Sequence, residues 1–332
     1  MVHARAWLAT AALIGVLAGC EQDPRIPYIP PTLANWPQPY RGVAGLKIHV
    51  FVTGFLRLPE AMLLRGGSLT RTRDLPVPAV LIEHPKQGLV LFNTGMAPLR
   101  PDETPAPSDW TQLVGVQRLR GTALTTQMQQ AGMKPQAVRW VVMSTLDANH
   151  AGAAAQFPEA RVVVAKREHE HARQAPSGYT PDDFAAVANW KFIDFEPPQP
   201  LGTFLAHVDL FGDASCLLID ASGPTPGTMA LLVRLAQRPL LLADDLAAVE
   251  ESLRYTAMPA SVQDRTLWWN NIWRLKRFAD LAPELLVMPG YDVTAVQAAG
   301  LKDVVVHPFS PPPASTTTSP TPALWRRLLP SS

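Results

Sequence analysis

The sequence predicts an α/β layer fold with a functional site at one edge of its sheets. Short apolar runs rich in β-branched residues predict strands, which we place at residues 46–52, 77–83, 88–92, 140–143, 161–165, 215–219, 229–235, 239–243 and 285–288. Helical patterns lie between or after several of these strands, at residues 122–131, 150–157, 166–174 and 267–279. Carboxylate, amide and histidine side chains follow several strand ends, which predicts a site where those ends meet.

The composition is that of an ordinary globular protein. The chain has 332 residues, of which 47% are hydrophobic and 17% charged, and it can bury one large core or two modest ones. A net charge of +1 gives no reason to expect nucleic acid as a partner. Cys216 has apolar neighbours and is expected to be a small buried thiol without a disulfide partner.

The N-terminal 20 residues read as a targeting segment. A weakly basic start precedes the apolar stretch 7–17, which is too short to span a bilayer. Residues 17–20 (Leu-Ala-Gly-Cys) resemble a bacterial lipoprotein signal, which implies cleavage before Cys20 and lipidation of that residue. The expected location is the bacterial cell envelope, with the protein anchored in the outer membrane and facing the periplasm. The alternative is an ordinary signal peptide that happens to contain a cysteine.

Proline-rich segments flank the predicted domain. Residues 21–45 are expected to be an extended, stiff tether that holds the domain away from the membrane. Residues 46–306 carry the strand and helix signals and form the folded domain. Residues 307–332, rich in proline, serine and threonine, are expected to form a tail without fixed structure.

The most informative stretch is the polar loop that follows the strand predicted at 140–143. It contains Thr145, Asp147, Asn149 and His150. Either Asp147 or Asn149 can cap the N–H groups of the helix predicted to follow. A strand that delivers polar side chains to a helix N-terminus is a common way to build a functional site.

This loop resembles the metal-binding loop of the metallo-β-lactamase superfamily, whose pattern is H-x-H-x-D-H. Residues 93–95 (Asn-Thr-Gly) are similar to the superfamily's D-T-G turn, with Asn93 where aspartate is usual. Residues 208–215 and 225–227 look like the branch that contains N-acyl-homoserine lactonases. The resemblance covers residues 46–306 and implies a four-layer αββα sandwich, with two facing sheets and helices outside.

Active members of the superfamily hold two zinc ions, and this chain departs from most of the positions that bind them. By resemblance, Thr145 and Asp147 occupy the first two histidine positions of the loop, and Asn149 occupies the aspartate position. His150 alone is unchanged there.

The remaining ligand positions lie further along the chain. Pro224 replaces the histidine of the Thr-Pro-Gly turn, and Tyr291 replaces the last histidine. Asp245 keeps the position of the aspartate that bridges the two ions, and it is preceded by Asp244 where glycine is typical. Two of the seven usual ligand positions, His150 and Asp245, are therefore intact, which is too few for a dinuclear zinc site.

Three interpretations compete. The favoured one is a metal-free pseudoenzyme, an envelope lipoprotein with a binding or regulatory role. In this interpretation the former metal site is the polar floor of a ligand pocket. The pocket residues are Thr145, Asp147, Asn149, His150, Pro224, Asp245 and Tyr291. The second is a hydrolase of lactones or esters that uses one divalent metal ion at Asp147, His150 and Asp245, a set suited to manganese or iron. The third is metal-independent catalysis with His150 as base beside Asp245. If the protein is an enzyme, the candidate catalytic residues are His150, Asp245 and Tyr291.

Tryptophans are concentrated in residues 268–273 (Trp-Trp-Asn-Asn-Ile-Trp). One face of this helix is expected to be core. The other face could line the pocket or contact a partner, which suggests a small apolar ligand.

Overall fold

The computed structural model describes residues 25–99, 115–117, 122–174 and 178–310. The predicted lipoprotein signal with Cys20, and all but the first four residues of the predicted tail, lie outside these ranges. Across the described ranges, no helix is both long enough and apolar enough to cross a membrane.

The larger sheet is built mainly from the first half of the chain. Its strands follow the order β13-β1-β2-β3-β5-β6-β7, with β4 paired to β1. Their bounds are β1 (Lys47–Pro59), β2 (Thr72–His84), β3 (Gly88–Phe92), β4 (Gly115–Gln117), β5 (Val138–Val142), β6 (Arg161–Ala165), β7 (Trp190–Ile193) and β13 (Val304–Val306). Strands β2 and β3 pair as an antiparallel hairpin, and β1 and β2 are both longer than predicted.

The second sheet comes from the second half of the chain and has the order β12-β11-β10-β9-β8. Its strands are β8 (His207–Asp209), β9 (Cys216–Asp220), β10 (Met229–Arg234), β11 (Pro239–Asp244) and β12 (Leu286–Pro289). These strands are almost continuous apolar runs because both faces of the sheet are covered. Cys216 is buried with a free thiol, as predicted.

The core lies between the two sheets and is continued on both outer faces. In β10, Met229 and Leu231 face the inter-sheet core, whereas Ala230 and Leu232 face the layer on the other side. This alternation follows from the two-residue period of a strand.

Helices cover both outer faces. Leu124, Met128 and Ala172 pack on the larger sheet, and the longest helix packs on the second sheet. The helices are α1 (Glu60–Leu63), α2 (Leu124–Gln130), α3 (Ala148–Ala151), α4 (Lys166–Ala172), α5 (Pro181–Phe184), α6 (Glu250–Tyr255), α7 (Arg265–Leu281) and α8 (Thr294–Ala299). The four-layer αββα sandwich is therefore confirmed.

The prediction that residues 21–45 form a free tether is wrong for its second half. Trp36 is buried, packs edge-on against Phe278 and donates its indole N–H to Glu284 at 3.0 Å. Tyr40 donates to the backbone carbonyl of Leu235. Large aromatic side chains gain more from burial than from solvent exposure, so they attach this segment to the domain despite its prolines.

The boundary of the predicted tail also moves. The backbone N–H of His307 donates to the carbonyl of Val50 at 2.9 Å, and the His307 ring stacks on Phe51 at 4.2 Å. His307 therefore continues the pairing of the sheet edge beyond β13, and Phe309 packs against Phe55.

Candidate metal centre

The polar loop leaves the C-terminal end of β5 and turns into α3. The side chain of Asp147 caps this helix, because its Oδ1 accepts hydrogen bonds from the backbone N–H groups of Asn149 (2.9 Å) and His150 (3.2 Å). Asp147 is therefore the cap, and Asn149 is not. The helix predicted over 150–157 is wrong in extent, since α3 ends at Ala151 and a separate 3-10 turn covers Ala154–Gln156.

His150 is buried and faces a carboxylate at each ring nitrogen. Its Nδ1 lies 2.8 Å from Oδ1 of Asp147 and 2.9 Å from Oγ1 of Thr145. Its Nε2 lies 2.9 Å from Oδ1 of Asp244. The Asp244 oxygen has no well-aligned hydrogen bond, so this last contact is an ion pair.

Asp244 is 3% exposed and ends β11 in an unusual backbone conformation. Its φ is +50°, a region that favours glycine, and a residue with a side chain pays roughly 1–3 kcal/mol there. Its Oδ2 accepts a hydrogen bond from Nδ2 of Asn93 at 2.5 Å. The Oδ1 of Asn93 in turn accepts from the N–H and the hydroxyl of Ser144, at 2.9 and 3.0 Å.

Asp245 begins the next turn and meets Tyr291, which follows β12. The phenol of Tyr291 donates to Oδ1 of Asp245 at 3.2 Å, and the Tyr291 ring lies 5.9 Å from that of His150. Asp147, His150 and Asp245 offer three donor atoms within 4.8 Å of one another. Residues far apart in the sequence thus meet at one sheet edge, as predicted.

The carboxylates dominate the electrostatics of this cluster. Burial lowers the pKa of His150, but Asp147, Asp244 and Asp245 outweigh it and hold that pKa well above its ordinary value. Burial, together with Asp244 and Asp147, raises the pKa of Asp245 to about 7. A charged imidazole without a free ring nitrogen is a poor base, so the interpretation of His150 as a metal-free general base is inconsistent with this geometry.

Tyr291 stays protonated in this environment. Burial and the negative charges of Asp245 and Asp147 raise the pKa of its phenol well above the ordinary value. A neutral phenol can donate one hydrogen bond, either to Asp245 or to an acceptor in the cavity.

Glu168 was not among the site residues predicted from the sequence, although it lies in the helix predicted over 166–174. Glu168 is fully buried and accepts hydrogen bonds from the N–H of Leu146 at 3.0 Å, the phenol of Tyr179 at 2.7 Å and the hydroxyl of Thr225 at 2.6 Å. It therefore ties the polar loop to the turn that carries Pro224. The signal was its place at the first turn of α4, directly after the buried strand β6.

A cavity of about 270 Å³ opens over the cluster. Asp147, Asn149, Pro224, Asp245 and Tyr291 line it, while Thr145 and His150 lie buried behind this surface. Its opposite wall is apolar and is formed by Leu56, Leu58, Met62, Leu63 and Leu75. A larger surface cleft near Lys166 and Asp194 shares no residue with this cavity.

The tryptophans of α7 do not line this cavity. Trp268 is fully buried and donates its indole N–H to the carbonyl of Leu246, and Trp269 belongs to the core under the second sheet. The apolar wall that the sequence suggested for α7 is supplied instead by β1, α1 and β2.

The residues present do not fit two zinc ions, but they do fit one divalent ion. Pro224 offers no donor side chain, and the hydroxyl of Thr145 is directed at His150. Asp147, His150 and Asp245 together provide two carboxylates and an imidazole, a set suited to a single cation. Burial, together with Asp244 and Asp147, raises the pKa of Asp245, and a bound cation would favour its charged form.

A family model and several known proteins match most of the chain. The family model described as "Metallo-beta-lactamase superfamily" matches residues 72–291. The N-acyl homoserine lactonase AttM of Azorhizobium caulinodans is 27% identical over 247 residues, which cover 72% of this chain and 90% of the relative. Its counterpart from Rhizobium radiobacter is 28% identical over 262 residues, 76% of this chain and 95% of the relative.

Solved structures show the same fold. An N-acyl homoserine lactone hydrolase with N-hexanoyl-L-homoserine bound at its catalytic metal centre has a TM-score of 0.64 and 18% identity, and the match covers 76% of this chain and 95% of that one. The dizinc lactonase AidC has a TM-score of 0.55 and 15% identity, with 79% and 92% covered. Identity at this level supports the fold alone.

Proposed function

Because the chain belongs to the metallo-β-lactamase superfamily, we propose that it is a hydrolase of lactones or esters that uses one divalent metal ion. The observation that carries this proposal is the cluster of Asp147, His150 and Asp245, whose donor atoms lie within 4.8 Å of one another. The lactonase relatives and this cluster support the hydrolase better than the metal-free binding protein favoured by the sequence.

The donor set indicates which ion to expect. Two carboxylates and one imidazole are a ligand set suited to manganese or iron. Zinc in catalytic sites usually has a ligand set richer in histidine. When bound, such an ion would polarise the ester carbonyl and favour ionisation of a water molecule.

The other residues bind and orient the substrate. The apolar wall of Leu56, Leu58 and Leu75 faces the polar floor across the cavity, an arrangement that fits a lactone or ester carrying an apolar chain. The phenol of Tyr291, neutral and 3.2 Å from Asp245, can donate its hydrogen bond to the carbonyl oxygen of the substrate. The buried carboxylate of Glu168 fixes the position of the polar loop relative to the turn that carries Pro224, through its hydrogen bonds with Leu146 and Thr225.

The test is metal analysis of the purified full-length chain, followed by hydrolysis of an acyl lactone and an aryl ester with and without a chelator. We expect about one manganese or iron ion per chain, and turnover that the chelator removes and added metal restores. His150→Gln and Asp245→Asn should each abolish metal-dependent turnover, because each removes one of three ligands.

Asp292→Asn is the matched control. Asp292 is next to Tyr291 but accepts a hydrogen bond from the N–H of Thr294, the first residue of α8, at 2.8 Å, which asparagine can also do. This variant should keep its metal and its turnover. Two ions per chain, or turnover that survives complete removal of metal, would contradict the single-metal proposal.

One observation favours a second candidate, a metal-free binding protein. Both ring nitrogens of His150 face carboxylates, at 2.8 and 2.9 Å, so a protonated ring can fill the site without a metal. In that case the same measurements would find no metal and no turnover, and a bound ligand would raise the melting temperature.

A further inference from the structure

Asp244 is the least expected residue of the site. By resemblance glycine belongs there, and the backbone φ of +50° would suit glycine. The chain nevertheless carries a buried carboxylate at this strained position, directly before the candidate ligand Asp245. Strain of this kind is kept where the side chain has a task that glycine cannot perform.

The orientation of the Asn93 amide is fixed by its neighbours. Its Oδ1 accepts two hydrogen bonds from Ser144, one from the backbone N–H and one from the hydroxyl. Its Nδ2 must therefore point the other way, where it donates to Oδ2 of Asp244 at 2.5 Å. An aspartate at position 93, which the resemblance leads one to expect, would set two carboxylates against each other.

The second oxygen of Asp244 faces His150. Its Oδ1 lies 2.9 Å from Nε2 of the ring, while Nδ1 faces Asp147 at 2.8 Å. A histidine that binds a metal through one ring nitrogen usually presents its other N–H to a carboxylate or carbonyl, which fixes the orientation of the ring.

We propose that Asp244 is a positioning residue of the cation site: held by Asn93, its carboxylate engages Nε2 of His150 and directs Nδ1 towards Asp147. The inference rests on the proposed single-metal function. By resemblance, aspartate is usual at position 93 and glycine at position 244, whereas this chain has an amide at 93 and a carboxylate at 244. The carboxylate of Asp244 contacts His150, the only unchanged histidine of the loop. Asn93 and Asp244 are therefore expected to work as a pair.

Two variants separate positioning from simple structural support. Asp244→Gly removes the carboxylate and relieves the strained φ. The exchange variant Asn93→Asp with Asp244→Asn keeps an acid and an amide in contact, but moves the charge away from His150. Ser144 can donate to an aspartate at position 93 as it does to Asn93, so the exchange variant should fold.

The first measurement uses the metal-free protein. In long-range 1H–15N spectra, the ring signals of His150 are assigned by their absence in His150→Gln. The chemical shift of Nε2 should be that of a ring nitrogen whose proton is hydrogen-bonded to a carboxylate. Both variants should shift that signal. The second measurement is calorimetric titration with Mn²⁺ and Zn²⁺, where both variants should bind about 10- to 100-fold more weakly, a loss larger than any fall in their melting temperatures accounts for.

Unchanged ring signals in both variants would overturn the proposal. So would metal affinity that falls only in proportion to a loss of thermal stability, because Asp244 would then be a structural residue. A wild-type protein that binds neither ion would contradict the proposed function, whereas the spectra of the metal-free protein would still decide whether Asp244 orients His150.

Discussion

Two buried histidines of this domain, His84 and His150, have opposite surroundings. The Nδ1 of His84 accepts hydrogen bonds from the backbone N–H groups of Lys86 and Gln87, both at 3.1 Å. Its Nε2–H therefore donates to the hydroxyl of Ser215 at 2.8 Å, and the ring is neutral. His84 closes the β2–β3 hairpin, where it pairs with Gly88.

His150 has carboxylates where His84 has backbone amides and a hydroxyl. Burial lowers the pKa of both rings. At His150, unlike at His84, the neighbouring carboxylates outweigh burial, so its pKa is raised above the ordinary value. The contrast shows that burial of a histidine does not by itself indicate a functional site. The net charge of the groups around the ring decides whether it is a structural hydrogen-bonding residue or part of a cation site.

Replacing His150 should give the largest effect. His150→Gln leaves the buried Asp244 and the partly buried Asp147 without their cationic partner, and removing one member of a buried ion pair costs about 3–5 kcal/mol. Urea denaturation with a chelator present should show this loss in the free energy of unfolding. Removing Asp244 as well, in His150→Gln with Asp244→Asn, should recover part of it. A loss no larger than that of a His84 variant would remove the contrast between the two rings.

Much of the fold was predictable because it depends on local patterns. The valine-rich run of β6 and the alternating residues of β1 identify buried strands, and the resemblance supplied the αββα layers. The segment around Trp36 was misjudged because its prolines suggested a tether, whereas the contacts with Phe278 and Glu284 that hold it are more than 240 residues away in sequence.

The site was predictable only in part, for a similar reason. Resemblance gathered Asp147, His150, Asp245 and Tyr291, and the structure places them together. It did not identify Asp244 as the residue that pairs with His150, because that depends on Asn93, 151 residues away. Sequence spacing does not show which strand ends come together side by side.

Replacing His84 should have a smaller effect with a distinct pH dependence. His84→Gln removes an acceptor for two backbone N–H groups, which should lower the free energy of unfolding at pH 7.5 by about 1–3 kcal/mol. Burial lowers the pKa of His84 below its ordinary value, against the opposing effect of Asp213.

The sign of this pH dependence follows because His84 binds a proton more readily in the unfolded chain than in the folded protein. The stabilisation by neutral His84 is fully present above the ordinary pKa of about 6.5 and is lost as the pH falls through the lower folded value. Denaturation at a series of pH values from 7.5 to 5 should therefore give a steeper decline for the wild type than for His84→Gln. Parallel declines would mean that His84 does not titrate differently in the folded protein.

The smallest effect is expected at Asp213, a carboxylate near His84. Its Oδ2 lies 3.4 Å from Nε2 of His84, and its Oδ1 accepts from the N–H of Ser215 at 3.1 Å, which asparagine can also do. Asp213→Asn should change the free energy of unfolding at pH 7.5 by less than about 1 kcal/mol. It should also lower the pKa of His84 further, because the carboxylate that favours the protonated ring is gone. NMR titration of the His84 ring measures this shift, and an upward shift would mean that Asp213 does not act on His84 through its charge.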